Sequence, residues 1–285
     1  MRVLIAGCGY VGSALACRLI ETRPEVFGLR RTASGLPEGV RPIAADLMQP
    51  ATLRGLPPDL DAVVYLATAD TFGEAAYNAA YVEGPRNLLR ALEEQDQSPA
   101  RIVFASSTAV YGQRDGEWVD ETSPTEPRDF SGRCLLEGEA LLLESRYPGL
   151  VVRFGGIYGP GRARLIERVR SGQARLREGP PHYTNRIHRD DCAGILAHLL
   201  GLEVPQRIYL GVDCDPADEA LVLQWLAERL GVPSPEVESQ RGKTTGRKAG
   251  SKRAANDRLL ASGYRFLYPT FREGYDALLD AESRG

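Results

Sequence analysis

The feature of this sequence that most restricts its fold is a run of three spaced glycines near the amino terminus. Gly7-Cys8-Gly9-Tyr10-Val11-Gly12 has the spacing G-x-G-x-x-G and stands between an apolar, β-branched stretch and a helix-period segment. In a βαβ unit, such glycines allow a tight turn, a close approach of backbone to a pyrophosphate, and close helix-on-strand packing. The helix amino terminus adds free N–H groups and a positive dipole end. The motif therefore predicts a dinucleotide site.

The first half of the chain alternates short apolar runs with helix-period segments, a pattern typical of βαβ units around a parallel sheet. We predict an α/β fold: a Rossmann-type doubly wound parallel sheet with a small carboxyl-terminal α/β cap. The predicted strands are 2–6, 26–29, 41–44, 62–66, 101–105, 150–154 and 207–211, and the predicted helices are 10–21, 74–94, 132–146, 163–171 and 217–230. Residues 1–160, with 186–212 returning to them, are expected to form the nucleotide-binding domain, and 161–185 with 213–285 the cap.

Charge and cysteine content restrict the partners and the compartment. The 285 residues carry 35 Lys and Arg against 38 Asp and Glu, so the chain has no overall positive field for nucleic acid or anionic membrane. Five scattered cysteines without zinc-ligand spacing predict a reduced, cytoplasmic protein with no metal site. The apolar run before Cys17 also has the form of a short secretory signal, but its glycines favour the nucleotide loop. We expect a small-molecule ligand, and homo-oligomerisation stays open.

The end of the second predicted strand indicates which dinucleotide is bound. An NAD site usually has an acidic residue about 20 positions after the glycines, which accepts hydrogen bonds from the ribose 2′-hydroxyl. Arg30 and Arg31 stand there instead. Two guanidiniums suit a 2′-phosphate, which predicts NADP with NAD as second choice, unless both simply face solvent. Asp46 and Leu47 are expected at the adenine edge, or at a helix start; the full predicted nucleotide-binding set is Gly7, Gly9, Tyr10, Val11, Gly12, Arg30, Arg31, Asp46, Leu47 and Ala67.

The fifth predicted strand runs into Ser106-Ser107-Thr108-Ala109-Val110-Tyr111-Gly112, at the edge where open α/β sheets bind ligands. This segment resembles the S-S-x-x-V-Y-G motif of the extended short-chain dehydrogenases/reductases, the NAD(P)-dependent epimerase/dehydratase family. Residues 82–89, 153–161, 187–191 and 252–269 are similar to further elements of that family, so the resemblance covers nearly the whole chain. It implies that Ser107 hydrogen-bonds a substrate oxygen. It also implies a substrate-side position for four residues: Tyr111, Arg153, Tyr158 and His188.

The chain departs from the family at the catalytic pair. The family carries Tyr-x-x-x-Lys about 25 residues after the serine, whereas Phe130 and Cys134 stand at those positions here. Phenylalanine has no proton to transfer and a neutral thiol brings no positive charge. General acid/base catalysis is worth roughly 100- to 10,000-fold, so ordinary hydride transfer should be slow. Together with Ser131-Gly132-Arg133, this variant resembles the YeeZ-type atypical subgroup.

Several residues keep two interpretations. Tyr111 is a substitute acid or a packing residue, His188 lines the domain junction or caps the following helix, and Cys134 is a nucleophile or a small buried hydrophobe. All three lysines, Lys243, Lys248 and Lys252, fall in the basic tract 241–258, so lysine acid/base chemistry would have to come from there. Within that tract, Lys252 and Arg253 belong to the family's carboxyl-terminal pattern and are expected near the substrate side.

Three functions fit these observations. The first is an atypical oxidoreductase or epimerase-like enzyme acting on a small polar or sugar-nucleotide-like molecule. The second is a noncatalytic NADP(H)-binding redox sensor or regulatory protein. The third is nucleic-acid binding through the tract 241–258, for which a solvated loop is the simpler interpretation because the tract has no aromatic stacking residue.

Overall fold

The fold is built around one parallel sheet. The computed structural model describes residues 1–22, 25–32, 34–238 and 250–284. Its strands are β1 Arg2–Ala6, β2 Glu25–Arg30, β3 Arg41–Ala44, β4 Ala62–Tyr65, β5 Arg101–Ser107, β6 Asp115–Val119, β7 Gly149–Phe154, β8 Gly156–Tyr158, β9 Leu176–Arg177, β10 Arg186–His188, β11 Ile208–Gly211, β12 Val237–Glu238 and β13 Ser251–Ala254. Seven of them form the sheet, in the order β11-β7-β5-β4-β1-β2-β3. The strand order reverses beside β1, and open α/β sheets bind ligands at such a switch point.

Helices cover both faces of this sheet. They are α1 Tyr10–Ile20, α2 Glu74–Asn78, α3 Gly84–Glu94, α4 Phe130–Leu143, α5 Arg164–Arg170, α6 Arg189–Gly201, α7 Glu219–Leu230, α8 Asp257–Ala261 and α9 Phe271–Arg284. A π-helical turn, Ala79–Glu83, joins α2 to α3, so the predicted helix 74–94 is one interrupted helix. Helix α7 ends at Gly231, whose φ of 64° is the left-handed conformation that glycine adopts without strain.

The core follows from the composition of the strands. All four residues of β4 are buried, as expected for a parallel strand that is covered on both faces. Helices α1 and α6 cover one face, with Leu15 and Leu196 fully buried in its core. The other face packs against α3 through Leu88 and Leu92. The predicted doubly wound Rossmann-type sheet is therefore confirmed, including the return of β11 to its edge.

The carboxyl-terminal part has an apolar core of its own, in which Ile166, Leu226 and Phe271 pack together. Leu259 and Tyr264, however, pack in the core beneath α1 and α6. The division into a nucleotide-binding domain and a cap stays a prediction. No helix within the described ranges is long and apolar enough to span a bilayer.

Candidate functional site

The glycine loop after β1 has the geometry that its sequence predicts. Gly7 has a φ of +94°, and a Cβ added to it would lie 2.3 Å from the backbone nitrogen of Ala67. A Cβ on Gly12 would lie 2.8 Å from the Gly7 carbonyl oxygen, so a side chain there would push α1 away from the strand. A Cβ on Gly9 would have open space around it, its nearest atom being the Gly7 carbonyl oxygen at 4.0 Å. The loop therefore holds the amino terminus of α1 close to the sheet and leaves it accessible.

A cavity of about 630 Å³ opens at the carboxyl ends of β1 to β4, beside this loop. We call it the glycine-loop cavity. It is lined by every residue of the predicted nucleotide-binding set except Gly12, which lies beneath the loop: Gly7, Gly9, Tyr10, Val11, Arg30, Arg31, Asp46, Leu47 and Ala67. Nine of the ten residues that the sequence predicts to bind the nucleotide therefore line one cavity.

Three polar side chains of this cavity, those of Arg30, Arg31 and Asp46, have hydrogen-bond partners within the protein. Arg31 donates two hydrogen bonds to the carboxylate of Asp70, at 2.8 and 3.0 Å. Arg30 reaches the carbonyl oxygens of Ser34 and Gly35 at 3.3 and 3.2 Å. Asp46 accepts from the Met48 amide at 2.9 Å, so it caps the turn that starts there while also lining the cavity. Asp70 was missed by the sequence analysis, since nothing in its neighbourhood indicates that it faces Arg31.

A second cavity of about 520 Å³ lies beyond the end of β5, and we call it the Ser107 cavity. Its wall includes Ser107, whose Oγ accepts from the Ala109 amide at 3.2 Å and so caps the short turn Thr108–Val110. The two cavities share Ile157 and Arg162. A ligand in one can therefore approach a ligand in the other at that shared wall.

The Ser107 cavity is strongly cationic. Among the residues that the structure describes, one carboxylate, Asp129, lines it, against six basic residues: Arg114, Arg128, Arg162, Arg164, Arg186 and Lys252. Asp129 lies 3.7 Å from Arg114. A concave site with this excess of positive charge attracts anions. Of these six, only Lys252 could be picked out from the sequence, because the arginines come from four separate segments that only the fold brings together.

Tyr111 and Arg153 form a buried network behind the cavity. Tyr111 lines it, yet its hydroxyl donates to the Asp120 carbonyl at 2.7 Å and accepts from Arg153 at 2.8 Å. Arg153 is 4% exposed and forms an ion pair with Glu139 at 2.7 Å, so it does not line the cavity as the resemblance implied. Burial raises the pKa of Tyr111 to about 12. The packing interpretation of Tyr111 therefore accounts for its contacts.

Of the next two residues on the predicted substrate side, Tyr158 and His188, only the first lines a cavity. Tyr158 lines the Ser107 cavity. His188 is 2% exposed and lines neither cavity; its Nδ1 accepts from the Asp190 amide at 3.2 Å, at the amino terminus of α6. Burial lowers the pKa of its imidazole, which keeps Nδ1 free to accept. The helix-capping interpretation is the one that the structure supports.

Phe130 and Cys134 line neither cavity. The ring of Phe130 packs against those of Phe72 and Tyr77, with centroids 5.1 and 5.4 Å apart. Cys134 is 7% exposed, and burial raises the pKa of its thiol, which disfavours the thiolate that a nucleophile needs. An aromatic cluster thus surrounds Phe130, at the position where the resemblance places the family's tyrosine.

Lys252 lines the Ser107 cavity, and the carboxyl-terminal pattern predicts that this is the substrate side. It is 7% exposed, lines the Ser107 cavity, and donates from Nζ to the Tyr111 carbonyl oxygen at 3.1 Å. Burial, with Arg114 nearby, lowers the pKa of its ammonium to about 8. Residues 241–249 of the basic tract, with Lys243 and Lys248, lie outside the described residues, so the nucleic-acid hypothesis stays untested.

Known proteins resemble this chain over nearly its full length. The model of the NAD-dependent epimerase/dehydratase family matches residues 3–192. A Streptomyces protein named 3-diazoavenalumate denitrifying reductase is 30% identical, over 96% of this chain and 99% of that protein. Protein YeeZ of Escherichia coli strain K12 is 28% identical, over 94% and 96%. The crystal structure of human epimerase family protein SDR39U1 (isoform2) with NADPH is 25% identical, over 96% and 97%, with a TM-score of 0.78.

Proposed function

The chain belongs to the NAD-dependent epimerase/dehydratase family, among its atypical YeeZ-type members, and on that premise we propose that it is an NADP(H)-dependent oxidoreductase acting on a small anionic molecule. One observation carries this proposal: the glycine-loop cavity and the cationic Ser107 cavity meet at Ile157 and Arg162. A nucleotide bound in the first cavity would then face a substrate bound in the second. The names of two related proteins, a reductase and an NADPH complex, support the same reaction class.

The residues of the glycine-loop cavity fit a dinucleotide. A side chain at Gly7 would fill the space between the loop and Ala67, and open space above Gly9 gives a diphosphate access to the amino terminus of α1. Arg30 and Arg31 line this cavity and would exchange their present partners for a 2′-phosphate, which supports NADP over NAD. Bound NADP(H) would supply or accept the hydride. The chain's own residues would hold it beside the wall that the two cavities share.

The substrate proposal rests on the composition of the Ser107 cavity. Ser107 carries a hydroxyl that can orient a substrate oxygen, as the family resemblance implies. Arg128, Arg164 and Arg186 offer guanidiniums that bind carboxylate or phosphate with two hydrogen bonds. A small acid, a phosphorylated carbonyl compound or a sugar nucleotide would match this charge.

The noncatalytic sensor is the second candidate, and a specific observation favours it. Phe130 and Cys134 replace the tyrosine and lysine of the family, and both lie outside the two cavities. A protein that had lost only its proton-transferring pair would still bind the nucleotide. Nucleotide binding alone therefore does not separate the two candidates, whereas turnover does.

The test combines both measurements on the purified full chain. We expect fluorescence titration to give tighter binding of NADPH than of NADH. We also expect NADPH oxidation with at least one compound in a panel of 2-oxo acids, phosphorylated aldehydes and nucleotide sugars. Ser107→Ala should lower kcat by about 100-fold, in the range of a lost transition-state hydrogen bond, and leave NADPH affinity unchanged. Binding without any turnover supports the sensor, and absence of binding to either nucleotide rejects both candidates.

A further inference from the structure

We propose that Lys252 is the proton-transferring residue of the Ser107 cavity, taking the place of the tyrosine that this chain lacks. It would protonate the substrate oxygen during reduction and take the proton back during oxidation. This inference rests on the proposed oxidoreductase function. It assigns to a residue of the late basic tract the role that Phe130 cannot perform.

The fold brings Lys252 to this position through a long-range strand pairing. Strand β13 lies parallel to β6, with Lys252 opposite Glu117 in the register. The Nζ atom then reaches the carbonyl oxygen of Tyr111, at 3.1 Å. Tyr111 is four residues after Ser107, and both Ser107 and Lys252 line the same cavity. The amine of Lys252 and the hydroxyl of Ser107 therefore line one cavity.

The ammonium of Lys252 is buried without a carboxylate partner. Within the described ranges, no ion pair to it is found at 4.0 Å or less. An ammonium has three donors, and the bond to Tyr111 uses one of them, so two remain for a ligand. A buried, unpaired amine releases its proton more easily than an exposed one, which is the property a proton-transferring group needs.

Two charged groups close to Lys252 act on its ammonium in opposite directions. Arg114, just before β6, disfavours its ammonium form, and Glu117 on β6 favours it. The remaining groups lining the same cavity are Arg128, Asp129, Arg162, Arg164, Arg186, Ser107, Tyr111, Tyr158, Tyr183 and Tyr275. Burial outweighs the single nearby carboxylate, so the pKa of Lys252 falls to about 8. Both protonation states are then populated close to neutral pH.

The competing acid in this cavity is engaged elsewhere. The Tyr111 hydroxyl lies between the Asp120 carbonyl and Arg153, and its pKa is raised to about 12. It would have to break a hydrogen bond to donate to a substrate. Within the described part of the chain, Lys252 donates to Tyr111 alone, so it needs no such rearrangement.

For a carbonyl substrate, the proposed step is a reduction to the alcohol with Lys252 as the proton donor. The reduced nicotinamide nucleotide of the proposed function would supply a hydride, which is two electrons and one hydrogen nucleus, for the new C–H bond. The carbonyl π bond breaks, its electron pair moves to oxygen, and the proton of Lys252 forms the O–H bond. Lys252 is left as a neutral amine, which regains a proton from water.

Protonation and catalysis are tested separately on the full-length chain. Because the chain has three lysines, NMR of protein labelled with lysine-¹³Cε should give three resonances. The Lys252 resonance is identified by its absence from the spectrum of Lys252→Met. We expect it to titrate with a midpoint near pH 8. The matched control is the double variant Lys243→Met/Lys248→Met, which removes the other two amines and should keep that resonance. A Lys252 midpoint at the ordinary lysine value, above pH 10, would overturn the inference.

The catalytic readout uses the best substrate of the carbonyl panel. We expect Lys252→Ala to lower kcat roughly 100- to 10,000-fold, with NADPH affinity unchanged, and added ethylamine to restore part of the rate. Lys252→Arg keeps the charge but cannot release a proton, so it should stay slow. Wild-type kcat in Lys252→Ala, or no restoration by amines in a variant that binds NADPH normally, refutes the role of Lys252. A wild-type protein that binds NADPH but reduces nothing instead refutes the oxidoreductase function on which it rests.

Discussion

Arg31 and Asp70 form a two-hydrogen-bond ion pair across the glycine-loop cavity, from the end of β2 to the segment after β4. Both side chains are about two-thirds exposed, at 65% and 66%, so the pair contributes only about 0–1 kcal/mol to stability. It can therefore open at little cost. A 2′-phosphate would then replace the Asp70 carboxylate as the anion bound by Arg31.

The first prediction follows from this pair. We expect Arg31→Ala to weaken NADPH binding by about 10- to 100-fold, since a charge-assisted hydrogen bond is lost, while NADH binding changes little. The control is Asp70→Asn, which frees Arg31 and should tighten NADPH binding by no more than about fivefold, the worth of an exposed pair. Isothermal titration with both nucleotides measures this. An NADPH/NADH affinity ratio unchanged in Arg31→Ala would contradict the NADP assignment.

The second prediction separates two glycines of one loop. Gly7→Ala places a Cβ 2.3 Å from the backbone of Ala67 at a φ of +94°, so we expect a loss of more than about 2 kcal/mol in the free energy of unfolding. Gly9→Ala meets no atom nearer than 4.0 Å, so stability should change by less than about 1 kcal/mol. Its added methyl group nevertheless obstructs the approach of a diphosphate.

Urea unfolding and NADPH titration distinguish these effects. Gly9→Ala should keep the wild-type unfolding midpoint and lose nucleotide affinity, whereas Gly7→Ala should lose both. Wild-type NADPH affinity in Gly9→Ala would show that the diphosphate does not rest on this part of the loop.

The sheet and the glycine loop could be predicted because local sequence determines them. Buried parallel strands are continuous apolar runs, as in β4, and a turn with positive φ requires glycine, as at Gly7. The pairing of β6 with β13 has no such signal. Ser251 and Lys252 are polar residues in a four-residue strand, and their partners lie more than 130 residues earlier in the chain. Long-range pairing of short polar strands is decided by the fold.

The same dependence on the fold explains why Arg153 and His188 were predicted on the substrate side although neither lines a cavity. Arg153 matches a family motif, but its sequence neighbourhood does not reveal that Glu139 lies 2.7 Å away inside the protein. His188 likewise precedes a helix, and whether it caps that helix or faces a ligand depends on the packing of Tyr158 and Tyr268 against its ring. Side chains with polar groups can satisfy them internally or offer them to a ligand, and composition alone does not distinguish the two.

The third prediction concerns the buried ion pair of Glu139 and Arg153, whose side chains are 4% and 5% exposed. Arg153→Met leaves the carboxylate without its partner, and we expect a loss of about 3–5 kcal/mol in the free energy of unfolding. The double variant Arg153→Met/Glu139→Leu should lose less, because no unpaired charge remains. The exposed pair of Arg90 and Glu94 is the control, and Arg90→Met should cost less than about 0.5 kcal/mol. Equal losses in Arg153→Met and Arg90→Met would contradict this structural role.

The last prediction is a pH dependence of stability that Lys252 causes. Its pKa is about 8 in the folded protein against an ordinary value of 10.5, so between these pH values the unfolded chain binds more protons than the folded one. Stability therefore rises with pH across this window, and below pH 8 the folded protein carries the full cost of the buried ammonium. That cost is roughly 3 kcal/mol at 1.36 kcal/mol per pKa unit.

Lys252→Met removes this cost and also the hydrogen bond to Tyr111, which is worth about 1 kcal/mol. We expect the variant to be more stable than the wild type by about 2 kcal/mol at pH 7, and the difference to shrink as the pH rises from 8 towards 10. Urea unfolding of both proteins at five or six pH values measures it. A difference that stays constant with pH would mean that the Lys252 ammonium is not destabilised by burial, because only a shifted pKa makes the gain depend on pH.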